Sequence, residues 1–421
     1  MKADLVIYNA RVVGGAADGG PKKGAALAGL TIVGDGAVSV VGGRIAAVGP
    51  SAEILEQYAA ENAIDAGGRV VGPGFVECHT HVVFAGDRLN EFELKIRGAD
   101  YLEILKAGGG ILSTVRQTRA ASVDELVAES RRRLDKMLAL GVTTAEVKTG
   151  YGLDTETELK MLRAIFALDA AHAVDLVPTF LPAHAVPPEF RENPDAYVDL
   201  ICREMLPRAL EEFRNSRLNS PIFVDVFCER GAFDLEQSRR VLETAKALGF
   251  GIKAHVDEFT NLGGARMAIG LGATSVDHLD AISDEEIALL AASGTVGVVT
   301  PTVNFNFGSK EFADARRLIN AGCAVALSTD YNPGSAPCPS LPNAMAIACR
   351  YQKLLPAEAF NAATINAAHA VGLGAQIGSL DAGKRADILI FDTKDYREIA
   401  YEFGGNPVAA TVKNGIMVNR S

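Results

Sequence analysis

A basic excess is missing from this 421-residue chain: Lys and Arg number 41 against 52 Asp and Glu, a formal net charge of -11. No Lys/Arg run exceeds the "RRR" at 131–133, so no basic face is available for a phosphate backbone, which speaks against nucleic acid as a partner. Apolar runs of membrane-spanning length are absent too, which speaks against a membrane partner. The opening "MKADLVIYNARVV" alternates like a strand instead of forming a signal-peptide core, and a cytoplasmic protein is expected. The 6 cysteines (Cys78, Cys202, Cys228, Cys323, Cys338, Cys349) include no Cys-x-x-Cys pair, in a chain too large to need disulfide staples. Reduced thiols follow. Internal repeats and low-complexity segments are also lacking. With 48% hydrophobic residues, the chain has room for one barrel-sized domain plus a smaller one.

Two alternating segments open the chain, "DLVIYNARVV" and "AVSVVGGRIAAVG", and similar ones close it, "ADILIFD" and "TVKNGIMVN". From about residue 71 to 330 the texture changes: short β-branched runs ending in polar residues alternate with helical stretches, the pattern of βα units around a parallel sheet. The predicted strands are 74–81, 142–148, 174–181, 222–228, 251–256, 273–277, 295–299 and 323–329, a succession that predicts a closed α/β barrel. Between them, "SVDELVAESRRRLDKMLALG" carries ordinary helix punctuation, with Ser122 as N-cap, Asp124 and Glu125 in the first turn and Gly141 as the stop. The Gly triplet in "KAGGGILSTVRQTR" (106–119) lacks the Gly-Lys-Ser/Thr ending of a nucleotide-binding loop and reads as a loop over a pocket. The Gly/Ala-rich patch at 13–30 reads as an exposed hairpin or loop.

Histidine is scarce as well, and its placement is the strongest signal in the chain. Of 7 histidines, His79 and His81 end the first predicted strand, His184 follows the third, His255 ends the fifth and His278 the sixth; Asp330 ends the eighth. In a (β/α)8 barrel the loops leaving the strand ends build one face, so these residues should converge. Residues two apart on a strand point to one side, so His79 and His81 both project inward. With His255 and Asp330 they make an N/O donor set suited to Zn²⁺ or Fe with a position left for water, whose pKa an ion lowers to about 7. Any one of these histidines alone would more readily be a satisfied core side chain; the set at corresponding strand ends favours a metal site. Glu258, three residues past His255, fits a general base that then protonates a leaving nitrogen, or else a loop carboxylate capping a helix. His278 fits a group polarising a carbonyl, or a structural one. His172 and His369 sit in helical stretches and read as helix-face or core residues.

The blocks "GPGFVECHTH", "HVDE", "STD" and "IGSLDAGKRADILIFD" resemble the amidohydrolase superfamily over essentially the whole chain. More narrowly, "ECHTHVVFAGDR", "AGGGILSTVRQTR", "EVKTGYGLD", "TFLPAHAVP", "HVDEF" and "STDYNPGSAP" are similar to the imidazolonepropionase family, which hydrolyses the C–N ring bond of 4-imidazolone-5-propanoate to N-formimidoyl-L-glutamate in histidine degradation. The resemblance implies a (β/α)8 TIM barrel at 67–376 and a small β-sandwich domain built from 1–66 and 377–421. It implies one Zn²⁺ or Fe ion per subunit on His79, His81, His255 and Asp330, with Glu258, His278 and Asp330 catalytic. It assigns Arg88, Tyr151, His184 and Glu258 to the anionic substrate, places Asn332, Gly334 and Ser335 against substrate or product, and suggests a homodimer.

Residue chemistry agrees on two points. The substrate's propanoate needs a local cation in an acidic protein, and Arg88 offers a bidentate fork; the "NPGS" turn offers backbone N–H groups and small side chains for close approach. Relatives with two metals carry a lysine on the fourth strand, whereas that run here ends "VDVFCERG", which favours one metal and leaves Glu229 a weaker candidate for a second. Lys148 reads as an ion-pair or loop-anchoring group. The rivals are a mononuclear aminohydrolase of the cytosine- or guanine-deaminase kind and a metal-free binding scaffold.

Overall fold

Pairing between the alternating segments at the two chain ends builds one mixed sheet of eight strands. The computed structural model describes residues 1–14, 19–98, 109–216 and 218–420. From the N-terminal part come β1 (Lys2–Gly14), β2 (Thr31–Val41), β3 (Arg44–Pro50), β4 (Ala59–Asp65) and β5 (Val70–Pro73). Neighbouring side chains on β1 take opposite faces and those two apart share one: Leu5 and Ile7 join one core with Val38, Val40, Ile388, Ile390 and Val412, while Val6 faces another with Ile54 and Tyr58. The first core gathers strands from both ends of the chain on one face, the packing of a sandwich.

A second sheet of eight strands follows in unbroken order: β6 (Phe75–Glu77), β7 (Val142–Lys148), β8 (Asp175–Ala183), β9 (Phe223–Cys228), β10 (Gly251–Val256), β11 (Ser275–His278), β12 (Val296–Val299) and β13 (Val325–Leu327). Every neighbouring pair is parallel. The last strand meets the first through a parallel bridge between Thr80 and Tyr331, with His81 N–H donating to Tyr331 O at 2.9 Å, so the sheet closes into the predicted barrel. Glu77 clasps this seam: its carboxylate accepts from Thr329 N–H (3.1 Å), Thr329 Oγ1 (2.7 Å) and Ser328 Oγ. Burial pushes the Glu77 carboxyl up to about 7 against the pull of these bonds. β14 (Ile388–Phe391), β15 (Val408–Lys413) and β16 (Ile416–Arg420) return the chain to the first sheet, β14 pairing with β5.

β7 and β10 coincide with their predicted bounds, and five other runs shift by one or two residues at their ends. The first run is the exception. It was expected over 74–81, but regular pairing stops at Glu77, because the glutamate side chain takes over the hydrogen bonds across the seam. Helix Val123–Ala139 begins as its sequence requires, with Ser122 Oγ accepting from Glu125 N–H at 3.2 Å and Glu125 Oε2 accepting from Ser122 N–H at 2.8 Å.

Two loop expectations change. Residues Ile111–Ala120 of the "KAGGGILSTVRQTR" stretch are helical, its residues 106–108 lying outside the described ones. The 13–30 patch, whose residues 15–18 also lie outside, includes a helical turn Gly24–Ala28 that buries Leu27 fully. Among the described residues, no helix is long and apolar enough to cross a membrane.

Candidate active site

The strand ends deliver their side chains to one place. His79 and His81 lie beyond the last paired residue of β6, yet the Thr80 bridge keeps the backbone extended and both rings turn inward. His79 Nε2 and His81 Nε2 each stand 3.4 Å from Asp330 Oδ1, and His81 Nε2 stands 3.5 Å from His255 Nε2. His278 completes the ring of imidazoles, its centroid 5.2 Å from those of His79 and His255. His278 and Asp330 have φ of 84° and 51°, in the left-handed region that non-glycine residues rarely occupy, so the backbone is strained where it presents them.

These donors fit a metal ion. His79 Nε2, His278 Nε2 and Asp330 Oδ1 are buried without a hydrogen-bond partner, a costly arrangement that a cation would relieve. Tetrahedral zinc with bonds of about 2.0–2.1 Å separates its ligands by roughly 3.4 Å, which matches His79 to Asp330 and His81 to Asp330 at 3.4 Å and His81 to His255 at 3.5 Å. Burial, followed by nearby cationic groups, drives His79 and His81 well below the usual histidine value, which leaves neutral imidazoles able to ligate.

Behind the rings stands a layer of carboxylates. His79 Nδ1 lies 2.7 Å from Asp277 Oδ2 and His255 Nδ1 lies 3.0 Å from Asp225 Oδ2, contacts that aim each Nε2 at the cluster. Two lysines balance this layer inside the barrel: Lys148 Nζ meets Asp225 at 2.7 Å and Glu146 at 2.9 Å, and Lys253 Nζ meets Glu146 at 2.8 Å. Lys148 is thus an ion-pair group. Burial opposes its charge, yet Asp225, Glu146 and Asp277 outweigh burial and hold its pKa above the usual lysine value. Lys148→Met should therefore cost roughly 3–5 kcal/mol of unfolding free energy in denaturant titration, because it strands buried carboxylates; a loss below 1 kcal/mol would show the network to be dispensable for stability.

Glu258 follows His255 around a turn and lines the cavity, its Oε2 3.8 Å from His278 Nε2. Burial, then Asp330 and Asp280, raises its carboxyl well above the ordinary range; a cation in the cluster acts in the opposite direction. Glu229, the weaker candidate for a second metal, has both oxygens engaged: they accept from Arg230, Phe259 and Thr260 backbone N–H groups and from Thr260 Oγ1. It anchors the turn behind Glu258.

The cavity in front measures about 360 Å³ and is lined by His81, Arg88, Tyr151, His184, Glu258, His278, Asp330, Asn332, Gly334 and Ser335 among others. Every predicted substrate residue is on this wall. His184 Nδ1 lies 3.0 Å from Gly150 O, so Nδ1–H donates and Nε2 remains an acceptor. Burial, then His255, pushes the His184 ring down to about 3 and keeps it neutral. Gly150 (φ 104°) permits this approach, since a Cβ there would sit 2.7 Å from His184 Nδ1. Asn332 is spent on its own loop: Oδ1 accepts from Gly334 N–H (2.8 Å) and Ser335 N–H (2.7 Å), and Nδ2 donates to Asp330 O and Ser335 Oγ.

Arg88 is already paired: Nε and Nη2 donate to the Glu91 carboxylate at 2.8 and 2.6 Å, and Glu91 also accepts from Gly110 N–H at 2.8 Å. Glu91 and Lys95 line the cavity and were missed by the sequence reading, as were Asp225, Asp277, Glu146 and Lys253 behind the histidines. Charged residues within apolar strand runs were the available signal for the latter four.

Known proteins resemble this chain in sequence and fold. The amidohydrolase family model matches residues 70–418. A protein of Chloroflexus aggregans named imidazolonepropionase is 54% identical over 99% of this chain and 98% of its own, and one of the same name from Herpetosiphon aurantiacus is 52% identical over 95% and 94%. Among solved structures, a zinc-bound adenosine deaminase from Xanthomonas campestris superposes with a TM-score of 0.74 at 20% identity, covering 99% of this chain and 93% of that one, a likeness of fold. The strand-end histidines, the barrel that carries them and these full-length matches place the chain in the amidohydrolase family, on its imidazolonepropionase branch.

Proposed function

We propose that this chain hydrolyses 4-imidazolone-5-propanoate to N-formimidoyl-L-glutamate, with His79, His81, His255 and Asp330 holding one Zn²⁺ or Fe ion. The observation that carries the reading is one shared cavity, lined by Arg88 and Lys95 together with the histidine cluster and Glu258, and relatives up to 54% identical bear that enzyme's name. When bound, the ion supplies an acidified water and an electrophilic pull on a carbonyl oxygen. Glu258 accepts the proton of the attacking water and delivers it to the departing ring nitrogen. The water oxygen joins the ring carbonyl carbon and the C–N bond to that nitrogen breaks. His278 donates from Nε2 to the developing oxyanion, a tautomer compatible with Thr300 Oγ1 lying 3.1 Å from its Nδ1. His184 Nε2 accepts from a ring N–H, Tyr151 packs beside it, and the Asn332–Ser335 loop shapes the wall. The family resemblance adds a cytoplasmic homodimer to this reading.

Loss of imidazolone absorbance on adding the substrate tests it directly; ammonia release from cytosine or guanine, with the imidazolone untouched, would replace it with a deaminase. Arg88→Ala should raise KM by about 10- to 150-fold, the worth of hydrogen bonds to a charged group. An unchanged KM would remove Arg88 from the carboxylate site.

A further inference from the structure

We propose that Lys95 is a specificity-determining residue of this reaction, supplying the uncompensated positive charge that receives the substrate's carboxylate beside Arg88. The inference rests on the imidazolonepropanoate reading above. Helix Leu89–Ile96 carries the relevant groups: Arg88 at its N-cap, Glu91 three residues on and Lys95 four beyond that, spacings that stack side chains along one helical face. Arg88 spends Nε and Nη2 on Glu91, so its charge is matched before any ligand arrives. Its Nη1 is left against Gly334, where a Cβ would stand only 2.1 Å away.

Lys95 approaches the same glycine. Its Nζ lies 3.5 Å from Gly334 O and 5.3 Å from the centroid of the Phe307 ring, in the cavity that also holds Glu258 and the histidines. Among the described residues, no carboxylate lies within ion-pairing distance of Lys95, although the side chain is half-buried. Among the described residues at this end of the cavity, away from Glu258 and Asp330, the two cations Arg88 and Lys95 and the carboxylate Glu91 leave one positive charge in a chain of net charge -11, which one carboxylate would neutralise. Burial and then the neighbouring Arg88 depress the Lys95 pKa, with Glu91 opposing them only in part, so an anion beside the two cations relieves an existing repulsion. A neutral ring of the kind deaminases accept offers nothing to this charge, and the pair thereby selects against it.

Steady-state kinetics on the imidazolone substrate with wild type, Lys95→Met and Lys95→Arg test the proposal. Lys95→Met should raise KM about 10- to 100-fold with kcat within about threefold, and Lys95→Arg should recover most of the loss. Competitive inhibition adds a readout that a structural role would not move: 3-(imidazol-4-yl)propanoate should bind Lys95→Met about 10-fold or more weakly, whereas its primary amide should bind both proteins alike. Turnover by wild type with an unchanged KM in Lys95→Met, or equal weakening of acid and amide, overturns the assignment of Lys95 alone. Absence of wild-type turnover overturns the proposed function and this inference with it.

Discussion

Glu258→Gln is expected to lower kcat by about 10²–10⁴-fold while metal content and fold stay as they are. The change keeps the shape of the side chain and removes its capacity to take and return a proton. Among the described residues of the cavity, Asp330 is committed to the proposed ion and His278 to the oxyanion. His184 is pushed down to about 3, and Arg88 is tied to Glu91. Burial raises the Glu258 carboxyl above the ordinary range, and a bound cation would act in the opposite direction. The turn that carries it is fixed from behind by Glu229, not by Glu258 itself, so the variant should unfold at the same denaturant concentration as wild type. Near-normal kcat with metal retained would sink the proton-shuttle role and move attention to His278.

Stripping the ion with a chelator is the second large effect. Turnover should fall by on the order of 10³-fold or more, since both the acidified water and the pull on the carbonyl go with it, and either Zn²⁺ or Fe²⁺ should restore it. The proposed donors, three imidazoles and a carboxylate, make a set that suits both metals. Stability should drop in parallel, by about 4 kcal/mol if the free ion had stood at a thousand times its Kd. Elemental analysis of the stripped protein supplies the control: full activity at less than about a tenth of an ion per chain would end the metal assignment.

What the sequence made legible and what it hid differ for physical reasons. Strand ends were readable because a histidine or aspartate closing an apolar run is an interruption, and five histidines at the ends of four such runs leave few alternatives to convergence. The carboxylate layer was harder to read because a lone Glu146, Asp225 or Asp277 within a strand does not say what it pairs with, and here each lies in the barrel interior among lysines and histidines instead of in water. Glu91 and Lys95 escaped notice for a different cause. They lie on helix Leu89–Ile96, in the long excursion between the first two strands, where no rule of barrel geometry says which helix will lean over the opening. The early end of β6 was unreadable because a side chain, Glu77, replaces backbone pairing there.

That short first strand has a mechanical meaning. The barrel is a hoop cut once, between β6 and β13, and each lip of the cut has only three paired residues. His79 and His81 extend from one lip and Asp330 from the other, within 3.4 Å of each other across the gap. An ion held by these three would work as a rivet through a join that the Thr80–Tyr331 bridge already draws together, so that loading the cofactor would tighten the hoop. Any substitution that slackens the lips, even one that never touches a ligand, would then register as weakened metal affinity.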